Sequence, residues 1–465
     1  MLLNNHGESF LGLSIIILAA GKGTRMQSKQ PKVLQLLAGK PLLGHVLSSL
    51  KNLKADDTCV VYGHEGEAVK SSFKTQNIRW EQQAEQLGTG HAAQQAMVDL
   101  PSDNRVMILA GDVPFISSNT LQRLLNETPS KDVSILTVQM DNPTGYGRII
   151  RNDEGIKKIV EHKDASEREL LLKEINTGVM LCPGENLKKW LKNLSNNNSK
   201  GEYYLTDVIE MAMTEGIKVH GIEADSFTEV MGINDKKQLA EAERVLQKKL
   251  VDDLMIAGVS FGDPSRVDIR GSLTCGKDVF IDVNTVFEGD VHLGDDTKIG
   301  PNNIIRDSKI GVGNIIHANC HIEGALSADE CEIGPFARLR PGANLANKVK
   351  IGNFVEVKKS NIASGTKINH LSYIGDAELG SDVNVGAGTI TCNYDGANKH
   401  KTIIEDNAFI GSNVSLVAPL EVGKNATIGA GSTISKSVPE GGLTVARSSQ
   451  KSIKEWTRPK NKEAK

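Results

Sequence analysis

Residues 279–305 have the sequence VFIDVNTVFEGDVHLGDDTKIGPNNII, in which an aliphatic or aromatic residue recurs at every sixth position. A period of six does not fit the 3.6-residue period of an amphipathic helix. The pattern continues to Val438 with occasional slips of frame, and it is typical of a parallel β-helix. The periodic positions are Ile281, Phe287, Leu293, Ile299, Ile305, Ile310, Ile316, Ile322, Ile333, Leu339, Leu345, Ile351, Val357, Ile362, Ile368, Ile374, Leu379, Val385, Ile404, Ile410, Leu416, Val422, Ile428 and Ile434.

In a parallel β-helix, each hexad forms one flat face and its periodic side chain points into the interior. Stacked coils bury these side chains against one another, and each contributes roughly 1.5–3 kcal/mol of burial. The outer faces of such a rod become surfaces for assembly or grooves for ligands. The sequence therefore predicts a long rod that is stable with few aromatic residues, which make up 4% of the chain.

The length, charge and cysteine content exclude several classes of protein. A chain of 465 residues predicts two or three domains, and a net charge of −3 gives no field suited to nucleic acid or an anionic membrane. The six cysteines form no C-x-x-C pair, which favours reduced thiols over a disulfide or zinc framework. No apolar run is long enough to span a membrane, and residues 1–13 lack the basic start of a signal peptide. We therefore expect a cytoplasmic protein with no nucleic-acid or membrane partner, which acts on small molecules or assembles with itself.

The N-terminal half begins with an apolar run and a glycine-rich turn. Ser14 to Ala20 is long enough for one buried strand, and Gly21-Lys-Gly-Thr-Arg-Met26 follows it. A strand that leads into such a turn presents backbone N–H groups to phosphate in doubly wound α/β folds. The alternative is a tight turn that needs glycine for a positive φ angle. The next expected elements favour the α/β fold: a helix over 41–53, a strand over 59–62, a helix over 90–98 and a strand over 106–110.

Two polar residues lie where this fold binds ligands. Asp112 follows the strand over 106–110, and the carboxyl ends of parallel strands form the ligand crevice. The alternative is an aspartate that caps a helix or turn. Gln83 lies in a polar loop before a helix, and its amide offers a donor and an acceptor that match the edge of uracil. The alternative is a glutamine that lies solvated on the surface.

The string Leu18-Ala-Ala-Gly-Lys-Gly-Thr-Arg-Met26, followed by Pro31-Lys32, resembles the fingerprint L-x-x-G-x-G-T-R-M and P-K of the sugar-1-phosphate nucleotidyltransferases. The resemblance implies that Asp112 and Asn234 bind Mg²⁺ and that Arg25 and Lys32 act on the phosphates. Ala110 departs from the family, because some relatives have a larger residue there. The residues that the resemblance assigns to UTP and UDP-N-acetylglucosamine are Leu18, Ala19, Ala20, Gly21, Lys32, Gln83, Gly88, Thr89, Ala110, Gly111, Asp112, Gly147, Glu161, Asn176 and Asn234.

The hexads change in character between Phe336 and Tyr394, where basic and hydrogen-bonding side chains become frequent. Arginine and lysine suit a phosphate, and histidine is the side chain best suited to take a proton from an amine near neutral pH. His370 is the candidate base, and the alternative is a histidine that lies on the surface of the rod. An insertion at residues 391–398 interrupts the hexads where a loop could cover a groove. The polar residues of this region are Arg338, Arg340, Lys358, Lys359, His370, Tyr373, Asn384, Asn393 and Tyr394.

Residues 334–342, 353–359 and 384–396, with the N-terminal fingerprint, resemble one family of bacterial bifunctional enzymes over about Ser14 to Pro459. The resemblance implies acetylation of glucosamine 1-phosphate by acetyl-CoA, then transfer of UMP from UTP to N-acetylglucosamine 1-phosphate. The product serves peptidoglycan and lipopolysaccharide synthesis. The resemblance also implies a homotrimer whose acetyl-transfer sites lie between neighbouring rods, with His370 as the base. It assigns glucosamine 1-phosphate to Arg340, Lys358, Tyr373 and Asn384, and acetyl-CoA to Ala387, Asn393, Tyr394, Ser412, Ala430 and Arg447.

The expected fold class is an α/β Rossmann-like nucleotidyltransferase domain joined by a helix to a left-handed parallel β-helix. The expected boundaries are an extension at 1–13, a uridyltransferase domain at 14–235, a helical linker at 236–260, a β-helix at 261–445 and a tail at 446–465. The tail carries basic residues around Trp456. We expect it either to be solvated or to reach the phosphates of CoA on a neighbouring rod.

Two alternative functions stay open. The first is a single-activity nucleotidyltransferase whose β-helix is regulatory, and Gln83 and His370 argue against it. The second is a non-catalytic assembly protein built on the same two folds, as in subunits of a translation-factor exchange complex. The presence of Arg25, Lys32 and Asp112 together with His370 argues against the second.

Overall fold

The computed structural model describes residues 12–63, 66–74, 77–101, 103–153 and 155–458. The expected extension therefore falls outside the described residues except for Gly12 and Leu13, as do Lys460 and Lys462 of the tail. The chain divides into two compact units, Met1–Val245 and Leu246–Lys465.

The first unit is built on a mixed β-sheet with helices on both sides. The sheet has the order β11-β7-β10-β6-β1-β4-β5, and β8 and β9 extend it beside β10. Its strands, with the small hairpin β2–β3, are β1 (Leu13–Ala19), β2 (Leu36–Leu37), β3 (Lys40–Pro41), β4 (Asp57–Tyr62), β5 (Arg79–Gln82), β6 (Arg105–Ala110), β7 (Val133–Gln139), β8 (Arg148–Asn152), β9 (Gly155–Val160), β10 (Glu174–Pro183) and β11 (Val219–Glu223). The helices are α1 (Leu42–Ser49), α2 (Gly66–Ser72), α3 (Thr89–Ala96), α4 (Ser118–Glu127), α5 (Glu167–Leu170), α6 (Gly184–Lys192), α7 (Asp207–Thr214) and α8 (Lys236–Ile256), which crosses the point where the units divide.

The apolar run of β1 explains its central position. Ile15 and Ile17 pack into the core on one side of the sheet and Ile16 packs into the core on the other side, all of them fully buried. A strand buried on both faces is a nearly continuous aliphatic run in sequence, because neither face meets water. β1 pairs in parallel with β4 and β6, so these three strands end at the same edge of the sheet. The glycine-rich turn after β1 and Asp112 after β6 therefore lie side by side.

The second unit is a parallel β-helix with three faces. The strands of the first face are Ser260–Phe261, Phe280–Ile281, Lys298–Ile299, Ile315–Ile316, Glu332–Ile333, Lys350–Asn353, Lys367–His370, Asn384–Val385, Phe409–Ile410, Thr427–Ile428 and Leu443–Thr444. The strands of the second and third faces form one sheet: Val267–Cys275, Thr285–Leu293, Ile304–Arg306, Lys309–Ile310, His321–Glu323, Leu326–Ser327, Arg338–Leu339, Ala343–Leu345, Glu356–Lys358, Ser360–Ile362, Tyr373–Gly375, Ala377–Leu379, Ile390–Cys392, Thr402–Ile404, Ser415–Val417, Leu420–Val422 and Thr433–Ile434. The predicted fold class is confirmed in both units.

Every periodic residue of the hexads is at most 3% exposed, so the predicted inward positions are confirmed. Two polar residues also occupy the inward register, Ser327 beside Ile310 and Thr391 beside Leu416. Both are buried, and their hydroxyls are hydrogen-bonded inside the rod, Ser327 to Asn314 and Thr391 to Gly375. A hexad with a polar inward residue is hidden in a search for aliphatic periodicity, which explains the apparent gaps in the sequence pattern.

One corner of the rod, between the first and second faces, has left-handed backbone at each turn. Asparagine or glycine occupies this position in most coils, as at Asn302 (φ 61°) and Asn319 (φ 62°), because both tolerate positive φ. Three successive coils instead carry Phe336 (φ 56°), Phe354 (φ 55°) and Leu371 (φ 52°). We call these three residues the corner ridge.

In the described part of the chain, no helix combines the length and apolarity needed to cross a membrane.

Candidate active sites

A cavity of about 640 Å³ opens in the first unit at the edge where β1 and β6 end. Three predicted residues, Arg25, Gly111 and Asn234, are outside its lining. A Cβ at Gly111 would lie 3.2 Å from the Ala19 Cβ, so glycine lets β6 continue close against β1. The predicted nucleotide and sugar residues that line the cavity are Leu18, Ala19, Ala20, Gly21, Lys32, Gln83, Gly88, Thr89, Ala110, Asp112, Gly147, Glu161 and Asn176.

Two cations and two oxygen ligands meet at one side of this cavity. Lys32 Nζ contacts the Asp112 carboxylate and lies 3.2 Å from Asn234 Oδ1. Arg25 Nη2 donates to the same Asn234 oxygen at 3.0 Å. Lys32 and Asp112 are mostly buried, with side chains 14% and 18% exposed. Asp112 and Asn234 are far from Arg25 and Lys32 in the chain, and the structure links the four residues through these side-chain contacts.

This arrangement fits a magnesium ion. The Asp112 and Asn234 oxygens converge on one point, which Lys32 Nζ marks in the structure. Mg²⁺ prefers oxygen ligands and commonly takes one or two from the protein, with the rest from phosphate and water. Among the described residues, no three His, Cys, Asp or Glu side chains group as metal ligands, so the donor set suits a phosphate-bound ion better than an all-protein cage.

The candidate uridine loop presents one free acceptor. Gln83 is 3% exposed, and its Nε2 donates to the Gly88 carbonyl at 3.0 Å and lies 3.1 Å from His91 Nδ1. Its amide hydrogens are therefore used to hold the loop, and Oε1 remains as an acceptor. At N3 uracil has an N–H donor and cytosine an acceptor, so an acceptor that faces N3 favours uracil. The sequence suggested both a donor and an acceptor, and the fold leaves the acceptor.

The candidate sugar residues come together at the other end of the cavity. Asn176 N–H donates to the Gly147 carbonyl at 2.9 Å, and a Cβ at Gly147 would lie 3.7 Å from Glu161 Oε1. Burial raises the pKa of Glu161 above its usual range, while nearby Lys200 and a hydrogen bond from Thr206 counteract that rise. A carboxylate beside a backbone carbonyl and an amide can accept hydrogen bonds from sugar hydroxyls.

In the second unit, His370 lies exposed at the end of a first-face strand, next to the corner ridge. Its Nδ1 is 2.7 Å from Oδ1 of Asn353, the residue paired with it one coil away. Since an amide oxygen only accepts, we assign the proton to Nδ1, which leaves Nε2 with the lone pair of a base. Sequence reasoning missed Asn353, although the coil length of about 17 residues placed it directly beside His370.

A column of small residues leads away from His370 along the same corner. The residue that follows each member of the column donates its backbone N–H to the carbonyl of the member one coil before. The accepting carbonyls are those of His370 (3.2 Å), Ala387 (2.7 Å) and Ser412 (2.8 Å). His370, Ala387, Ser412 and Ala430 therefore stack in successive coils, and Arg447 donates to the Ala430 carbonyl. Neighbouring strands lie about 4.8 Å apart, so the column is roughly 14 Å long. The column ends at Arg447.

The candidate phosphate ligands of the rod lie across the second face. Arg340 Nη1 is 2.8 Å from Glu356, whose partner along the face is Tyr373. The pKa of Lys358 is lowered because Lys399 lies beside it, and Arg340 adds to the effect. Sequence reasoning did not single out Lys399, which directly follows the insertion and reaches this face because the chain folds back and pairs Lys399 with Tyr394.

The remaining candidates frame this cluster. Asn393 donates to Asp376, and Tyr394 pairs with Lys399 across the inserted hairpin. Tyr394 is exposed, and its hydroxyl donates to the Gly396 carbonyl. Asn384 is on the first face, paired between Lys367 and Phe409. The structure thus brings Arg340, Lys358, Tyr373 and Asn393 together on and beside the second face and leaves Asn384 on a different face.

Two protein-family models match this chain. The model of the MobA-like NTP transferase domain matches residues 15–174, and the model of the bacterial transferase hexapeptide with six repeats matches residues 401–436. Proteins named bifunctional protein GlmU are similar over nearly the whole chain. The one from Azoarcus sp. is 52% identical over 96% of this chain and 99% of its own. Those from Acinetobacter baumannii and Marinobacter nauticus are each 51% identical, over 97% and 96% of this chain and 99% of their own.

The chain belongs to the family of bifunctional GlmU proteins. Membership confirms the two predicted activities, glucosamine-1-phosphate N-acetyltransferase and N-acetylglucosamine-1-phosphate uridyltransferase. The substrates of a GlmU enzyme are accordingly small molecules, nucleotides and sugar phosphates. The similarity to the GlmU proteins extends over both halves of the chain in the same order. Membership overturns the two alternatives, a single-activity nucleotidyltransferase and a non-catalytic assembly subunit.

Proposed function

We propose that uridyl transfer takes place in the cavity of the first unit with Mg²⁺ held by Asp112 and Asn234, and that acetyl transfer from acetyl-CoA takes place at His370 of a homotrimeric rod. The product of the rod is the sugar substrate of the cavity. We propose a cytoplasmic location, since both co-substrates are intracellular metabolites. The observation that carries the acetyl-transfer assignment is His370 with its Nδ1 held by Asn353, at the head of a column of small side chains.

In the cavity, the phosphate oxygen of N-acetylglucosamine 1-phosphate attacks the α-phosphorus of UTP, and the bond to pyrophosphate breaks. Such transfers depend on positioning and charge neutralisation more than on covalent chemistry of the protein. Gln83 orients the base, Glu161 and Asn176 hold the sugar, and Arg25 and Lys32 offset negative charge on the phosphates. Bound Mg²⁺ would add to this neutralisation and align the phosphate oxygens.

Lys32 can pair with either of two anions. Its ammonium contacts the Asp112 carboxylate, and a substrate phosphate would offer it an alternative anionic partner. The pair is largely shielded from water, so a charge left alone there would be costly. If Lys32 moved from carboxylate to phosphate, bound Mg²⁺ would take its place at Asp112, so that both charges would stay compensated.

In the rod, the amine of glucosamine 1-phosphate loses a proton to His370 Nε2 and attacks the thioester carbonyl. The new C–N bond forms, the C–S bond breaks, and the departing thiolate takes up a proton to leave as CoA. Asn353 accepts from Nδ1–H and stabilises the imidazolium that forms in between. The column through Ala387, Ser412 and Ala430 would take the linear arm of CoA.

The cations of the second face would bind the phosphate of glucosamine 1-phosphate. Arg340, Lys358 and Lys399 lie close together, and the mutual repulsion of the two lysines shows in the lowered pKa of Lys358. A phosphate bound among them relieves that repulsion with charge-assisted hydrogen bonds. Lys399 thereby joins Arg340 and Lys358 as a candidate ligand, which the sequence alone did not suggest.

The corner ridge supports the homotrimer. Phe336, Phe354 and Leu371 are 49%, 55% and 62% exposed, and the two phenyl rings stack at 5.2 Å. Large apolar side chains in left-handed backbone are unfavourable, and nothing in one chain compensates by burying them. A neighbouring rod that covers this ridge would bury them next to His370 and complete the acetyl-transfer site.

An omission assay tests the whole proposal. The protein is mixed with glucosamine 1-phosphate, acetyl-CoA, UTP and Mg²⁺, and each component is omitted in turn. We expect UDP-N-acetylglucosamine only in the complete mixture, N-acetylglucosamine 1-phosphate without UTP or Mg²⁺, and nothing without acetyl-CoA. Supplying N-acetylglucosamine 1-phosphate should restore the nucleotide sugar without acetyl-CoA. Uridyl transfer that persists in EDTA would refute the Mg²⁺ assignment.

A further inference from the structure

Residues 198–206 connect the candidate uridine loop to the candidate sugar end of the cavity. On the uridine side, Tyr203 N–H donates to the Leu87 carbonyl and the Tyr203 carbonyl accepts from Gly90 N–H, both at 2.8 Å. Leu205 N–H donates to Thr89 Oγ1 at 3.1 Å. The segment therefore has a fixed backbone position relative to the uridine loop, and Glu202, Leu205 and Thr206 line the cavity.

Thr206 stands at the N-cap of α7 without capping it. An N-cap threonine normally accepts a hydrogen bond from a backbone N–H of the first turn. Here no side-chain cap bond forms, and the Thr206 hydroxyl donates instead to Glu161 Oε1 at 3.3 Å. The residue is 8% exposed, so few other partners can replace that carboxylate. A hydroxyl diverted from its usual helix partner to a cavity carboxylate indicates a role in the cavity.

We propose that Thr206 is a positioning residue for uridyl transfer: it fixes the rotamer of Glu161 so that the free carboxylate oxygen faces the sugar hydroxyls. The inference rests on the proposed role of Glu161 in sugar binding. Because residues 198–206 are tied to the uridine loop, Thr206 sets the sugar acceptor at a constant distance from the base site. The hydroxyls of a smaller or larger sugar would then not reach Glu161. This contact would therefore contribute to the selection of the sugar.

The charges around Glu161 explain why a hydroxyl donor is needed there. Lys200, whose ammonium lies over the Tyr204 ring, favours ionised Glu161, while Asp164 and Glu202 disfavour it. Asp207 adds a further carboxyl group that is coupled to Glu161. Three acids and one lysine thus surround Glu161, and the Thr206 hydrogen bond acts with Lys200 against the rise that burial causes in the Glu161 pKa.

The test compares Thr206→Val with Thr206→Ser and with Thr214→Val at the other end of α7. Valine keeps the shape and loses the donor, serine keeps the donor, and Thr214 bonds only to a backbone carbonyl of its own helix. For Thr206→Val we expect the KM for N-acetylglucosamine 1-phosphate to rise roughly tenfold, the loss of one hydrogen bond to a charged group. The KM for UTP, kcat and Tm should change little, because no helix cap is lost. Thr206→Ser and Thr214→Val should behave as the parent protein.

A pH profile gives a readout that a packing role would not change. Loss of the donor raises the pKa of Glu161, so the acid limb of kcat/KM should move to higher pH in Thr206→Val and return in Thr206→Ser. An unshifted limb with an unchanged sugar KM would overturn the inference.

A double-mutant cycle with Glu161→Ala separates the inference from the function on which it rests. If Thr206 acts through Glu161, Thr206→Val should have no further effect in the Glu161→Ala background. Effects that simply add would place Thr206 in direct contact with the sugar and refute the positioning role. A normal sugar KM in Glu161→Ala alone would instead refute the proposed role of Glu161.

Discussion

Replacing Phe354 by asparagine should dissociate the rods while leaving each chain folded. Phe354 lies in the middle of the corner ridge, at a turn where other coils have asparagine, as at Asn302 and Asn413. Left-handed backbone costs asparagine less than phenylalanine, so the substitution suits the local geometry. What it removes is apolar surface on the outside of the rod, which we propose a neighbouring chain covers.

The magnitudes follow from the exposed fraction and the backbone. Relief of left-handed strain stabilises the single chain by about 1 kcal/mol, and loss of the stack with Phe336 costs about the same, so Tm should change little. Phe354 is 55% exposed. Burying this exposed half of the side chain in the interface is worth about 1 kcal/mol per chain. Over the three chains of a trimer, that sums to about 3 kcal/mol, or a dissociation constant raised roughly 100-fold.

Sedimentation velocity and the two activities together measure this effect. For Phe354→Asn we expect acetyl transfer per chain to fall on dilution, at concentrations where the parent protein remains fully active. Uridyl transfer per chain should be independent of concentration in both proteins. Leu326→Asn is the matched control: Leu326 is 50% exposed on the third face, in the column that already contains Asn344 and Asn361. Equal dissociation of both variants, or none in Phe354→Asn, would refute the assignment of the ridge as the interface.

Four further predictions address the two sites, the tail and one buried carboxyl group. Asp112→Ala should abolish uridyl transfer and leave acetyl transfer nearly intact, and parallel loss of both activities in a folded variant would contradict two separate sites. His370→Ala should lower kcat of acetyl transfer by roughly 10²–10⁴-fold, the usual contribution of a general base, with unchanged Tm and uridyl transfer; retention within about threefold would remove it from the mechanism. Deleting residues 451–465, whose described part is exposed and irregular, should raise the KM for acetyl-CoA and leave uridyl transfer unchanged, whereas an unaltered KM would mean a solvated tail. Burial, with Glu210 the next largest cause, raises the pKa of Asp207 to about 6 from 3.8, so the folded state binds this proton more tightly than the unfolded state and charged Asp207 costs stability at pH 7. Because Asp207 is only half buried and solvent screens part of the effect, Asp207→Asn should raise the free energy of unfolding at pH 7.5 by on the order of 1 kcal/mol. This advantage should shrink as the pH falls from 6 towards 4, and an equal gain at every pH would exclude the carboxyl group as its source.

The candidate catalytic residues show how far sequence reasoning reached. The glycine-rich string after β1 and Asp112 after β6 were predictable because parallel strands end at one edge, and the structure places both at the cavity. His370 was predictable as an outward residue because Ile368 and Ile374 are the inward ones, both fully buried. These inferences succeeded because each depends on a local period or on one strand and its following turn.

Other contacts of the candidate sites could not be predicted from the sequence. Asn353 holds His370 through a side-chain bond between coils, Lys399 meets Lys358 through a hairpin that folds back, and Thr206 reaches Glu161 from a helix start. Each is a polar pair with no periodic signal, and the identity of either residue does not indicate its partner. Thr206 even carried a misleading signal, since threonine before a helix predicts a cap.

The sequence by itself determined the rod and the α/β domain, because burial requires an aliphatic side chain at every inward position and leaves a readable period of six. Only the tertiary structure decided which outward residues share a column. Coils of unequal length separate His370, Ala387, Ser412 and Ala430, so a fixed spacing does not align them. The coil-to-coil hydrogen bonds of the closed backbone set that alignment, and with it the column that begins at the candidate base His370.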